Sequence, residues 1–138
     1  MISSVIQKTL RDLADPDPDV RIAAADAIGQ SPALHEDISW LPEAVAPLSA
    51  ALADSDRGVR MSAAYALGSL GLAEAAEPLI GLLDATDDRG VQLVILKSLG
   101  KIGAAEVRDR LERVRAESDS RCVRAVAARA LERIANSG

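Results

Sequence analysis

An all-α fold, a right-handed α-solenoid of four helix pairs, is predicted by two features of the sequence. The first is a motif of a turn, a valine, an Arg, apolar residues and a closing Gly, which occurs in four copies. The anchoring valines are Val20, Val59, Val91 and Val123. A self-similar period of about 30–40 residues is typical of stacked repeats. The second feature is the core composition: Phe is absent and the only aromatic residues are Trp40 and Tyr65, which favours closely packed aliphatic helices.

Length and charge restrict the class of protein. A chain of 138 residues suits one domain, and we expect residues 1–138 to form a single unit. Cys122 is the only cysteine, so no intramolecular disulfide forms and a reducing compartment is favoured. The N-terminus lacks the pattern of a signal peptide, and no stretch approaches about 18 consecutive apolar residues. We therefore predict a cytoplasmic protein with no membrane partner.

The net charge of −5 is unevenly distributed. Residues 1–103 carry 15 acidic and 8 basic side chains, whereas residues 104–138 carry 6 acidic side chains and 8 Arg. An acidic chain argues against nucleic-acid binding, because phosphate neutralisation dominates that affinity. We interpret the Arg-rich end as a solvated end of the solenoid, with a dipolar rod that orients a partner as the alternative.

The first repeat, residues 1–30, is predicted to pair an outer helix over 2–14 with an inner helix over 20–28. Apolar residues recur at helical spacing in the outer segment, and the two Pro of the 15–19 turn stop it. Gly29 is expected to end the inner helix as a left-handed cap.

Repeat two, residues 31–71, begins with an inserted loop over 30–41, since insertions in repeat proteins fall in connecting loops. The loop holds the only His, His35, which has no partner for catalysis and is interpreted as solvated. Trp40 is interpreted as a seal between repeats one and two. An outer helix over 42–52 and an inner helix from Val59 follow, with Gly68 and Gly71 as closing residues.

Repeats three and four span 72–103 and 104–138. The turn of repeat three, from Asp84 to Val91, is two residues longer than the turns before it. The expected closing residues are Gly100 and Gly103. Pro47 and Pro78 occupy matching positions in the outer helices of repeats two and three, which predicts a shared bend. The polar outer side of the last helix suits a terminal cap.

The repeated motif resembles the short HEAT-like repeat of the phycobilisome-lyase type over nearly the whole chain. The residues that carry the resemblance are Asp15, Val20, Arg21, Ala24, Ala27, Ile28 and Gly29, and Asp54, Val59, Arg60, Ala63, Ala66, Leu67 and Gly68. Repeat three departs at Gln92 and at Lys97-Ser98, and repeat four departs at Glu132. The resemblance implies four HEAT-like helix pairs, and a ladder of acid–Arg bonds between repeats. The implied ladder residues are Asp15, Asp54, Arg21, Arg60 and Arg124.

A partner-binding groove is predicted from the inner helices, with each anchoring valine counted as position 0. Positions +2, +3, +6 and +10 point away from the outer helices. Position +2 is largely apolar, which predicts either an exposed ridge that binds a partner or packing between adjacent inner helices. Position +6 changes from acidic to basic along the chain. The predicted groove residues are Ile22, Asp26, Met61, Tyr65, Leu93, Lys97, Arg129 and Arg133.

We find no residues in the sequence that would support catalysis or bind a metal. The deoxyhypusine hydroxylases, which the chain resembles in fold, hold two irons with His-Glu pairs at positions +2 and +3. Those positions here are Ile22-Ala23, Met61-Ser62, Leu93-Val94 and Ala125-Val126. None of them ligates a hard metal. Cys122 has no neighbouring base and is interpreted as inert, so we expect no catalytic residue, metal or cofactor.

We expect a non-catalytic protein-interaction module or scaffold that binds a partner protein or peptide in its concave groove. An apolar or amphipathic segment would dock there, with Lys97, Arg129 and Arg133 steering its acidic end. The repeat subtype leaves open a phycobilin lyase-like or bilin-handling chaperone subunit. DNA binding through the Arg-rich end is a lesser alternative, which the acidic net charge and the missing stacking aromatics oppose.

Overall fold

A computed structural model describes residues 4–30 and 38–137, and these residues form helices and connecting turns without a β-strand. Eight α-helices of the described chain alternate between an outer and an inner layer. The outer helices are α1 (Ser4–Asp12), α3 (Leu41–Ala51), α5 (Ala76–Ala85) and α7 (Ala105–Glu117). The inner helices are α2 (Pro18–Gln30), α4 (Arg57–Leu70), α6 (Arg89–Ile102) and α8 (Arg121–Ser137).

The two layers make a solenoid of helix pairs, as predicted. Each outer helix packs on the inner helix that follows it, and the most extensive helix contacts join consecutive inner helices. Short 3₁₀ helices at Ile38–Trp40 and Ala73–Ala75 precede α3 and α5. Pro47 lies inside α3, whereas Pro78 lies in the first turn of α5.

The core is a continuous row of aliphatic side chains between the layers. In α4 the side chains at positions 0, +4, +5 and +8, counted from the anchoring valine, form a buried stripe: Val59, Ala63, Ala64 and Leu67 are each fully buried. Trp40 is also buried within this core and is therefore a packing residue. His35 and Glu36 lie outside the described residues.

The turns between outer and inner helices repeat the same hydrogen bonds. Five residues before each anchoring valine, a side-chain oxygen accepts the backbone N–H two residues ahead. These acceptors are Asp15, Asp54, Thr86 and Ser118. Three residues before the valine, an N-cap side chain accepts the N–H of the valine in the last three repeats. These caps are Asp56, Asp88 and Ser120.

The residue directly after each valine donates back to its own turn. Arg21, Arg60 and Arg124 each donate to the carbonyl of the first turn residue, and Gln92 does the same with its amide at 2.9 Å from Thr86 O. Gln92 is therefore a structural replacement for Arg. The longer turn predicted in repeat three is wrong, because α5 continues to Ala85 and its turn begins at Thr86.

A two-pronged ion pair links repeats one and two. Arg21 Nε and Nη2 donate to the two carboxylate oxygens of Asp54 at 2.8 and 3.0 Å. Both side chains are about 15% exposed, so water screens the pair only in part. Burial opposes ionisation of Asp54, but the hydrogen bonds from Arg21 and the Asp56 N–H outweigh it and lower the pKa of Asp54.

The predicted ladder is correct only for this pair. Arg60 and Arg124 donate to backbone carbonyls of their own turns, and Asp15 accepts from its own turn. The reason is that Thr86 and Ser118 stand where Asp54 stands in repeat two. Pairs from the first turn of each inner helix continue the ladder instead: Arg57 with Asp88, and Arg89 with Asp119. The hydrogen bond from Arg57 lowers the pKa of Asp88 to about 2.

Glycine at position +9 lets consecutive inner helices approach closely. A Cβ added to Gly68 would lie 2.5 Å from the Cβ and 2.7 Å from the Cα of Ser98, at position +7 of the next inner helix. A Cβ on Gly100 would lie 2.9 Å from the Cβ of Ala130, again at position +7. Gly29 faces Ala66 in the same way. Position +9 of α8 is the exposed Glu132.

The left-handed cap predicted at Gly29 is wrong, because Gly29 lies inside α2; Gly68 and Gly100, expected among the closing residues, also lie inside their helices. The helices α4 and α6 end at Gly71 and Gly103, whose φ values of 66° and 72° favour glycine. The two kinds of glycine therefore have different tasks: one allows contact between repeats and the other ends a helix.

The close approach predicts opposite outcomes for two Gly→Ala substitutions. Gly68→Ala should lower the free energy of unfolding by roughly 1–2 kcal/mol, because overpacking exceeds the gain in helix propensity. Gly81→Ala, on α5, should raise it by about 0.5–1 kcal/mol, since a Cβ there meets no atom within 4 Å. Urea unfolding followed by circular dichroism measures both, and equal effects would contradict the close approach.

The lowered pKa of Asp54 predicts a pH-dependent stabilisation. Asp54→Asn should cost about 1–3 kcal/mol near neutral pH, because it breaks a charged, partly buried hydrogen-bonded pair. A depressed pKa in the folded state gives stability that is present above the ordinary value and is lost as the pH falls through the folded-state pKa. The difference between wild type and variant should therefore shrink in acid. Asp109→Asn, at an exposed α7 position, is the control that should show no such trend.

Candidate functional site

A pocket of about 430 Å³ opens on the face formed by the inner helices α4, α6 and α8. Its volume falls within the range of about 300–1,000 Å³ that is usual for ligand sites. The lining residues are Tyr65, Val94, Lys97, Ser98, Lys101, Val126, Arg129, Ala130 and Arg133. All nine occupy position +3, +6, +7 or +10 of their helices, so the pocket follows from the repeat itself.

The pocket is basic, with two cations on each of two neighbouring helices. Lys97 and Lys101 lie one turn apart on α6, and Arg129 and Arg133 occupy the matching positions of α8. None of the described residues that line the pocket is acidic. Like charges four residues apart on a helix destabilise it. Lys97 and Arg129 are exposed and make no hydrogen bond or ion pair with a described residue. Their charge is therefore available to an external anion.

The floor of the pocket is apolar and fixed. Val94 and Val126 are partly buried and pack against the core. Ser98 is 2% exposed and donates its hydroxyl to Ala64 O at 2.8 Å, so its hydrogen is already engaged within the fold. Lys101 Nζ lies 4.7 Å from the centroid of the Tyr65 ring, a cation–π contact that positions both side chains at the pocket wall.

The structure places the eight predicted groove residues in two groups. Tyr65, Lys97, Arg129 and Arg133 line the pocket. The other four, Ile22, Asp26, Met61 and Leu93, lie outside it and are partly buried.

A continuous exposed apolar ridge at position +2 is not observed in the described chain, because Ile22, Met61 and Leu93 are partly buried and pack against the core; Ala125 is exposed. Ile22 shows the reason: a Cβ on Gly58 of the next inner helix would lie 2.9 Å from Ile22 Cδ1. The packing interpretation of position +2 is therefore supported at Ile22, and partner binding by the predicted groove residues stays a prediction. Tyr65, at 39% exposed, is one of two large exposed hydrophobic residues in the described chain, with Val5.

Five pocket residues were not among the predicted ones. Lys101 and Val94 stand at positions +10 and +3, which were predicted to face the groove. Arg133 and Val126 occupy the same positions on α8, and this match was a signal from which Lys101 and Val94 could have been predicted. Ser98 and Ala130 at position +7 gave no such signal, because small residues there serve the contact between helices.

Other chemistry has little support in the described residues. No group of three or more His, Cys, Asp or Glu among them is arranged to hold a metal ion. Cys122 is an exposed free thiol in the first turn of α8. None of the described helices combines the length and apolar character required to cross a membrane.

Comparison with known proteins identifies the repeat. Residues 6–96 match the family model of HEAT repeats, which covers more than half of the chain. The match includes α2, α4, which carries Tyr65, and most of α6, which carries Val94. A comparison with curated proteins finds no match.

Proposed function

The chain belongs to the HEAT repeat family, and from that premise we propose that it is a non-catalytic protein-interaction module. HEAT repeats generally act as scaffolds for protein interactions. The proposed binding site for the partner is the basic pocket on the inner-helix face. The observation that carries this proposal is the unneutralised charge of Lys97 and Arg129 beside an apolar floor.

The docking surface is narrower than the whole groove predicted from the sequence. We place the docking surface in the C-terminal half of the inner-helix face, because the pocket there joins exposed cations to an apolar floor, whereas Ile22, Met61 and Leu93 lie outside the pocket. A partner that covers the pocket would relieve the repulsion between its cations. It would also remove the exposed part of Tyr65 from water.

The alternatives gain no support from the described residues. The phycobilisome-lyase subtype, and with it a bilin-handling role, stays a proposal that rests on the repeat motif alone. DNA binding through the Arg-rich end is weakened because several of its Arg have partners in the fold. Arg110 pairs with Asp84, Arg115 pairs with Glu112, and Arg124 donates to Ser118 O. The cytoplasmic location also stays a prediction.

Affinity capture with matched variants tests the proposal. The double variant Lys97→Gln/Arg129→Gln removes two pocket charges, and Arg108→Gln/Arg121→Gln removes two exposed charges elsewhere. A protein captured by the wild type and by the second variant should be lost with the first, and the loss should recur with the two purified proteins. Circular dichroism checks that each variant is folded. Equal capture by both variants would place the partner elsewhere on the surface.

A further inference from the structure

We propose that the pocket recognises an acidic peptide segment of the partner, in which one large apolar side chain is flanked by carboxylates. This inference deepens the proposed function and rests on it. The apolar side chain enters between α6 and α8 over Val94 and Val126. The flanking carboxylates meet the cations of the two helices.

The spacing of the cations fits separate single charges along a peptide. Residues four apart on one helix are displaced by about 6 Å along its axis, which applies to Lys97 and Lys101 and again to Arg129 and Arg133. Neighbouring helices are about 8–10 Å apart. Side chains two residues apart on an extended peptide are separated by about 7 Å. A carboxylate two residues before the apolar side chain and another two residues after it therefore lie on the same side of the peptide as that side chain, where the cations flank the floor.

The floor of the pocket accounts for the apolar side chain. Val94, Val126 and Ala130 present an aliphatic surface at the bottom, and the aliphatic stems of Lys and Arg surround it. The volume of about 430 Å³ holds one side chain of the size of Leu or Phe. The buried hydroxyl of Ser98 already donates to Ala64 O, so the floor favours an apolar group over a polar one.

A single phosphate fits the pocket less well than separated carboxylates. Phosphate sites commonly use the backbone N–H groups at a helix N-terminus. Here Lys97 and Lys101 lie in the second half of α6, which ends at Ile102. A phosphate would therefore lack these N–H donors, whereas single carboxylates can be bound by the side-chain cations alone. Lys101 is also held over the Tyr65 ring, which keeps the cations apart.

The net charge of −5 does not prevent an acidic segment from binding. At about 0.15 M salt, charges farther away than about 8 Å are largely screened. The segment therefore interacts mainly with the four cations of the pocket. The same screening predicts that its affinity falls as salt is added.

Nuclear magnetic resonance of the ¹⁵N-labelled full chain tests the inference. The probe is a capped peptide with two Glu, one Leu and two Glu. Three control peptides are compared with it. The first has Gln in place of each Glu, the second has Gly in place of the Leu, and the third has a single phosphoserine with Gln in place of each Glu.

The chemical shift changes of the backbone amides should concentrate on the pocket positions of α6 and α8. Affinity should fall roughly tenfold in Lys97→Gln/Arg129→Gln, because two exposed charge contacts are lost, and at least as much for the Gln peptide, which loses four carboxylates. Arg108→Gln/Arg121→Gln should bind like the wild type.

Several results would overturn the inference. These are equal binding of the Glu and Gln peptides, equal binding by the two double variants, shifts outside the pocket, and tighter binding of the phosphoserine peptide. The failure of the proposed function is a separate outcome. If capture of the protein partner depends on Lys97 and Arg129 while the Glu peptide fails to bind, the acidic-segment inference is wrong and the interaction module remains supported. If the peptide binds but capture depends on neither residue, the pocket binds acidic segments while the captured protein docks elsewhere, so the pocket is not the binding site of that partner.

Discussion

Consecutive inner helices approach each other through a glycine at position +9 of one helix and a small residue at position +7 of the next. The contact recurs three times, at Gly29 with Ala66, Gly68 with Ser98 and Gly100 with Ala130. It fixes the distance between inner helices, because no side chain separates the backbones at that point. The pocket depends on this distance, since its walls and floor come from three inner helices and from no outer helix.

The turns determine the rotation of each inner helix about its own axis. The pocket requires this rotation in addition to the distance between the helices. The side-chain acceptor five residues before the valine and the donor directly after it occur in all four repeats, although the residue types change from Asp to Thr or Ser and from Arg to Gln. The same positions therefore face the groove in each repeat. Tyr65, Lys97 and Arg129 all stand at position +6 and meet in one pocket. The ion pair of Arg21 with Asp54 adds a link between repeats one and two.

The period, the helix pairs and the buried stripe could be predicted from the sequence, because they follow from spacing along one chain. The separation of neighbouring helices could not, and this is why the roles of the glycines were misassigned. Gly68 and Gly71 have the same local signature, yet only contact with Ser98 distinguishes a packing glycine from a cap. Met61 stands on the groove side, but packing against the core leaves it only partly exposed. The charged positions +6 and +10 were more predictable, since long cationic side chains stay in water.

Crystal structures of the wild type and of Gly100→Ala would test the dependence of the pocket on close helix contact most directly. Gly100 lies beside the pocket but is not part of its lining. The added Cβ should push α8 away from α6, so the Cα atoms of Lys97 and Arg129 should move apart and the pocket should widen. An unchanged helix separation, with the methyl group accommodated in place, would contradict the view that the glycine contact sets the geometry of the site.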